Sequence, residues 1–389
     1  MIKVGFVLFD SKGWLGGVHY MKNLLYAISA IKDRKIQPVF FVGKNADEKF
    51  VEEFEKLGII VRSSLFDRLS FSWLIHNIFR RLFLWSFLFD RLAVKNSIDL
   101  ISHSGVVTKR KKYKTLNWMP DFQHFHLPEM FSLAEVKYRS MVYAKMVENS
   151  DGIVLSSNDA LFDYKTNFPQ YLGKVHVLPF VSQPNTDIYD IFDTKKIEKK
   201  YEFSGKFFYL PNQFWKHKNH WIVLEALSLL KKEGKDVLVV CTGHTGDYRN
   251  KNHFENILQY VKENDLQRNI KFLGLIDYID VLTLMRHCVS IINPSLFEGW
   301  SSTVEEAKSI GKNMILSNLN VHKEQNPSNS VYFDPHDEKD LAEKLWKKWE
   351  ESAGGPDFEL EEIARKNIEA RTKKFGSAYQ DIVLDVMKK

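Results

Sequence analysis

The sequence predicts an α/β protein made of two doubly wound domains, and three observations lead there. Short apolar runs alternate with longer amphipathic ones along nearly the whole chain, the pattern of a parallel sheet wound with helices. The alternation falters once, around residues 179–200, and then resumes. At 389 residues the chain is also too long for one ordinary core.

In the first half, the apolar runs 3–9, 37–42, 99–102, 115–118, 152–156 and 175–181 read as strands, with helical stretches at 18–31 and 131–148. The charged run ending Lys195-Lys-Ile-Glu-Lys-Lys200, preceded by Pro179 and Pro184, reads as a linker. A second set of strands follows at 206–212, 236–243, 270–273, 289–293, 313–317 and 331–333. Helices at 221–232, 254–263 and 341–350 lie between them. Sheets of this kind bind ligands at the carboxyl ends of their strands, so the site is expected in the cleft between the domains. Residues 71–91 stand apart, because aromatic and aliphatic side chains cover nearly every helical face, with Arg80, Arg81 and Arg91 interspersed. That region reads either as an interfacial helix touching anionic lipid or as a helix pair packed on the sheet.

Composition narrows the function classes. With 44% hydrophobic and 27% charged residues, and no apolar run approaching ~18 residues, nothing is expected to span a membrane. The amino terminus shows no signal peptide, and a cytoplasmic protein is expected. A formal charge of +6 and a pI near 8.9 suit anionic partners such as nucleotides or phospholipid headgroups, or simply a mildly basic surface. The charge is spread out and no nucleic-acid module is present, so nucleic-acid binding is not expected. Cys241 and Cys288 sit in apolar runs and read as core residues.

Four loops that follow predicted strands carry the chemistry. In the stretch Gly13-Trp-Leu-Gly16-Gly17, a strand runs into a glycine turn and then a helix, whose first amides can face an anion, though glycine often serves only to turn. The spacing is not GxGxxG, which argues against a dinucleotide site. The stretch Pro120-Asp121-Phe-Gln-His124-Phe-His126-Leu-Pro128-Glu129 offers groups for proton handling or oriented hydrogen bonding. Its spacing and prolines do not match a zinc motif. In Gln213-Phe-Trp-Lys216-His217-Lys218-Asn219, the lysines can deliver charge to a phosphate, and Asn219 is placed to cap the next helix. Finally, in Glu298-Gly-Trp300-Ser301-Ser302-Thr-Val-Glu305-Glu306, residues 302–305 fit a capping box with Ser302 as N-cap, and Gly311 ends the helix. Glu298 and Glu306 have no such structural duty. Carboxylates are good partners for vicinal sugar hydroxyls, and the helix start between them can offer amides to a diphosphate.

The segment from Glu298 to Glu306 resembles the Glu-x7-Glu motif of retaining glycosyltransferases of family 4, which have the GT-B fold. Gly16-Gly17, the loop at Asp121–His124, and the loop at Gln213–Lys218 carry the resemblance over nearly the whole chain. The resemblance implies a domain over 1–183, a nucleotide-sugar domain over 184–373, and a terminal helix, 374–389, returning to the first domain. It implies that Glu306 binds the nucleotide ribose, Glu298 the transferred sugar, and Lys218 the diphosphate. Amides around Trp300, Ser301 and Ser302 would contact sugar or diphosphate, and Gly16 and Gly17 would close on the phosphates. Asp121 and His124 would face sugar and acceptor. Relatives often carry an arginine where Gln213 stands, and Lys216 is the candidate to supply that charge. Such enzymes retain anomeric configuration by same-face attack and need no metal or other cofactor. The implied reaction moves a hexose-type sugar from a nucleotide-diphospho-sugar to a saccharide or lipid-linked saccharide, in surface polysaccharide synthesis. The basic aromatic region 71–91 motivates the lipid-linked acceptor and a peripheral contact with the anionic inner face of a membrane. The rival readings are a non-catalytic nucleotide-sugar or glycan binder, a nucleotide-sugar epimerase, and a glycan phosphorylase.

Overall fold

The computed structural model describes residues 1–8, 15–83, 86–107, 111–184, 186–190 and 194–389. These form two compact units: Met1–Phe122 with Leu133–Val181 and Ala370–Lys389, and Gln123–Ser132 with Ser182–Glu369.

In the first unit, the strands are β1 (Ile2–Val7), β2 (Ile36–Val42), β3 (Ile59–Arg62), β4 (Leu100–Ser102), β5 (Lys114–Met119), β6 (Gly152–Leu155) and β7 (Val175–Val177). They make one sheet in the order β3-β2-β1-β4-β5-β6-β7, parallel at every pairing. Every residue of β4 and β6 is buried, as expected of parallel strands covered on both faces. The edge strand β3 is absent from the sequence reading although Ile59-Ile60-Val61 is an apolar run; it is short, and none of its residues is fully buried.

The second unit repeats the plan with β8 (Phe208–Leu210), β9 (Val239–Cys241), β10 (Ile270–Phe272), β11 (Ile291–Asn293), β12 (Met314–Ser317) and β13 (Val331–Phe333), in the order β10-β9-β8-β11-β12-β13. Alternate residues feed opposite cores. Phe208, Leu210, Val239, Cys241, Ile292 and Ile315 pack on one side. Tyr209, Val240, Ile291, Met314 and Leu316 pack on the other. The doubly wound α/β class expected from the alternation is the class observed. In both sheets the strand order reverses once, between β1 and β4 and between β8 and β11. Helices leave on opposite faces there, which opens a crevice at the carboxyl ends of those strands.

Some local expectations change. The stretch read as a linker is part of the second unit, where Ile188, Tyr189 and Ile197 are buried in its core. The helix Lys195–Tyr201 turns Ile197 inward, and its lysines had masked that anchor. Gly16 and Gly17 fall in the first turn of helix Leu15–Ser29, while Gly13 and the rest of 9–14 lie outside the described residues. Region 71–91 forms two helices, Phe71–Phe83 and Phe87–Lys95, with positions 84 and 85 also outside the described residues. The second helix buries Phe89 and Ala93, but the first buries nothing fully. Among the described residues, no helix is long and apolar enough to cross a membrane.

The last helix, Phe358–Lys388, contributes to both units. In the second, Arg286 donates to Glu361 from Nε at 2.6 Å and from Nη2 at 3.1 Å. In the first, Phe375, Tyr379, Val383 and Val386 are buried, and Tyr379 donates to Ser102 Oγ at 2.8 Å.

Candidate active site

The switch point of the second sheet gathers the polar residues of two separate loops. Asn212, just past β8, donates from Nδ2 to Asn293 Oδ1 at the end of β11, 3.1 Å away. Asn293 donates in turn to Ser301 Oγ at 2.8 Å. The Ser295 hydroxyl lies 2.8 Å from Asn293 Oδ1 and 2.7 Å from Glu298 Oε1. These groups are buried, and each finds a partner, as groups removed from water must.

Lys218 and Glu298, 80 residues apart, meet here. Lys218 Nζ donates to Glu298 Oε1 at 2.7 Å, and the Glu298 side chain is only 9% exposed. Burial alone would raise the Glu298 pKa, but Lys218, His322 and the Ser295 hydrogen bond outweigh it and hold the carboxyl at about 2. His322, on helix Asn320–Gln325, is fully buried and its pKa is lowered, first by burial. Its Nδ1 lies 2.9 Å from the Ser317 carbonyl oxygen, which can only accept, so Nδ1 carries the proton. The sequence reading missed His322. It lies on the short helix after strand β12, so the strand-end rule carried a few residues further would have found it.

Helix Ser302–Ile310 starts beside this pair. Its N-cap is Ser301, whose Oγ accepts from the Val304 amide at 3.4 Å, not Ser302. Glu305 does not close a capping box; it accepts from Lys308 Nζ at 3.1 Å and Gln325 Nε2 at 3.2 Å. Gln325 also takes the Ser301 amide at 3.2 Å. Trp300 and Ser302 flank that position and are partly exposed. Gly311 ends the helix with φ +76°, where a side chain would also overlap the Leu360 backbone. One turn in, Glu306 is buried and accepts from the Tyr278 hydroxyl at 2.9 Å. Burial, and then the Glu306 charge, push the Tyr278 hydroxyl pKa far up, so it remains a donor.

On the opposite side of the crevice, Gln213–Asn219 forms a loop and a single turn at Lys216–Lys218. Asp247 accepts from the Lys216 amide at 3.1 Å, which leaves the exposed Lys216 side chain outside that bond. Gln213 is partly exposed. Asn219 adopts a left-handed conformation, φ +54°, and makes no side-chain cap to the helix after it. Its amide instead donates to the Pro335 carbonyl at 3.0 Å. His217 is buried, and burial, then Lys218, lower its pKa to about 3.

The segment Gln123–Ser132 belongs to the same unit. His124 is fully buried, whereas His126 is exposed with its ring centre 5.0 Å from that of Phe297. Arg249 lies over the Phe131 ring at 4.8 Å and the Trp215 ring at 5.1 Å, tying this segment to the lysine loop. Asp121, Gly16 and Gly17 belong to the first unit; the Asp121 carbonyl accepts from the Tyr143 hydroxyl at 2.8 Å.

A buried carboxylate pair, a lysine and a helix start at a switch point suit recognition of a sugar carried on a diphosphate. The comparisons agree. Residues 192–371 match the family model described as glycosyl transferases group 1. The capsular polysaccharide biosynthesis glycosyltransferase CapH of Staphylococcus aureus is 23% identical over 276 residues, spanning 70% of this chain and 73% of CapH. A glycosyltransferase from Rickettsia africae is 18% identical, with a TM-score of 0.64 over 100% of this chain and 98% of its own. HepE of Anabaena, solved in complex with UDP and glucose, is 16% identical, with a TM-score of 0.63 over 100% and 98%. Taken together with the fold, these matches make the protein a glycosyltransferase of the GT-B fold.

Proposed function

We propose that the protein moves a hexose-type sugar from a nucleotide-diphospho-sugar to a saccharide acceptor, with retention of configuration and without a metal ion, in the assembly of a surface polysaccharide. The observation that carries the donor side is the Lys218–Glu298 pair beside the start of helix Ser302–Ile310. Lys218 and the helix start stabilise charge on the departing diphosphate, the largest electrostatic demand of the reaction. Glu306, oriented by Tyr278, takes the ribose hydroxyls, and Glu298 takes hydroxyls of the transferred sugar. Trp300 and Ser302 line the approach, while Ser301 holds the helix start in place. Gln213, Lys216, Gly16 and Gly17 are assigned to the donor phosphates, the glycines because they allow close backbone approach. Asp121 and His124 orient sugar and acceptor, with the buried His124 acting as a positioning residue. A donor phosphate oxygen receives the acceptor proton as the new glycosidic bond forms on the face the diphosphate leaves. The UDP and glucose bound by HepE and the capsular role of CapH support this reading.

The test is calorimetric titration with UDP-, GDP-, dTDP- and ADP-linked sugars in the presence of a chelator. One base class is expected to bind. Glu306→Ala should weaken nucleotide binding at least ~10-fold, a loss of about 1.4 kcal/mol, whereas Glu298→Ala should lose turnover more than affinity. Equal, small effects of both substitutions would overturn the role assignment. Binding without turnover on any saccharide acceptor would favour a non-catalytic relative.

A further inference from the structure

Helix Phe71–Phe83 is built inside out. A surface helix ordinarily turns its apolar stripe to the core and its polar stripe to water. Here Phe71, Leu74, Ile78 and Leu82, spaced along one face, are 79%, 43%, 53% and 69% exposed. Trp73, His76, Asn77 and Arg80, spaced along the opposite face, line a cavity of about 140 Å³. That cavity also touches Val7 and Ser104, so it sits at the carboxyl ends of β1 and β4, the switch point of the first sheet. Leu69, Phe83 and Phe87, close by in sequence, are exposed as well. Isolated apolar residues on a surface need no explanation, but a contiguous patch of this kind marks a contact.

The surrounding charge identifies the contact. Arg68, Arg81 and Arg91 are exposed in the same segment, Arg81 directly beside the stripe. The two acidic residues of the segment are engaged: Asp67 accepts the Lys44 and Asn45 amides at 3.1 and 3.0 Å, and Asp90 accepts from the Tyr113 hydroxyl at 2.8 Å. A two-fold contact with a second copy would set this patch against itself and bring arginines onto arginines. An apolar stripe accompanied by arginines instead matches acyl chains beneath anionic headgroups.

We propose that the outer face of helix Phe71–Phe83 seats on an anionic lipid surface, with Phe71, Leu74, Ile78 and Leu82 in the acyl boundary and the arginines on the headgroups. The inner face of the same helix then holds the cavity at the end of the first sheet against the bilayer. On the reading of the protein as a glycosyltransferase, a membrane-borne saccharide becomes the acceptor; the seating itself does not depend on that reading.

The experiment is co-sedimentation of the full chain with phosphatidylcholine vesicles, with and without about a third of phosphatidylglycerol. Binding is expected only with the anionic lipid and should weaken with salt. The double substitution Ile78→Glu/Leu82→Glu lies on solvent-exposed positions and should reduce vesicle partitioning about 10-fold or more. Nucleotide-sugar binding by the same variant, measured in parallel, should stay at the wild-type level, which shows that the variant folds. Arg68→Ala/Arg81→Ala should lose the preference for anionic lipid. Failure of the wild type to sediment with either vesicle overturns the proposal, as does equal sedimentation of the Ile78→Glu/Leu82→Glu variant. A concentration-dependent dimer that the substitution abolishes, without vesicle binding, would assign the face to a second copy instead.

Discussion

Lys218 and Glu298 hold each other at 2.7 Å, which fixes both charges in place. The pairing also makes a pH signature. Glu298 has an ordinary pKa of 4.5 and is held at about 2 in the folded chain. A depressed carboxylate pKa adds stability that is present above the unfolded value and is lost as pH falls through the folded one. The stability advantage of the wild type over Glu298→Gln should therefore shrink between about pH 4.5 and pH 2 in urea unfolding measured across that range; a constant gap would show that the pair is not coupled to folding. Glu298 and Glu306 were legible in the sequence because glycine and hydroxyl residues punctuate them. The capping assignments were not. Ser301 rather than Ser302 caps the helix, and Asn219 turns to Pro335, because a cap depends on which competing acceptor or donor lies nearby, and those neighbours come from Gln325 and Pro335, distant in sequence.

Among the elements, the terminal helix shows how strongly a few contacts can act. Arg286 and Glu361 are both almost fully buried and share two hydrogen bonds, and a third runs from Arg286 to the Ile188 carbonyl at 3.0 Å. Removing one partner of such a pair strands a buried charge, at a cost of about 3–5 kcal/mol. Glu361→Ala should lose stability of that order in chemical denaturation, while Glu362→Ala, whose partner Lys366 is exposed, should leave it nearly unchanged. Equal effects would contradict the burial argument. The apolar spacing of Tyr379, Ile382, Val383 and Val386 was legible as a helical face. The close approach that makes Gly376 necessary was not, because a side chain there would overlap the Ala27 carbonyl, far away in sequence.

At the scale of the whole molecule, the two units have separate cores, and the candidate donor residues Gln213, Lys216, Lys218, Glu298 and Glu306 all lie in the second. A donor at ~100 times its Kd should stabilise what it binds by about 2.7 kcal/mol. Hydrogen exchange with and without donor should thus show added protection at residues 213–218 and 298–306, with the strands of the first sheet unchanged; uniform protection of both units would contradict this placement. Local periodicity and strand-end punctuation were enough to specify two parallel sheets and to single out the loops of the candidate site, because hydrophobic repeat and glycine act over a few residues. Strand order was decided only in three dimensions. The neighbouring of β8 and β11 brings Lys218 to Glu298 across 80 residues, and no local pattern encodes which strands become neighbours. The outward stripe of helix Phe71–Phe83 was decided there too, since hydrophobic spacing shows that a helix has an apolar face but not which way that face turns.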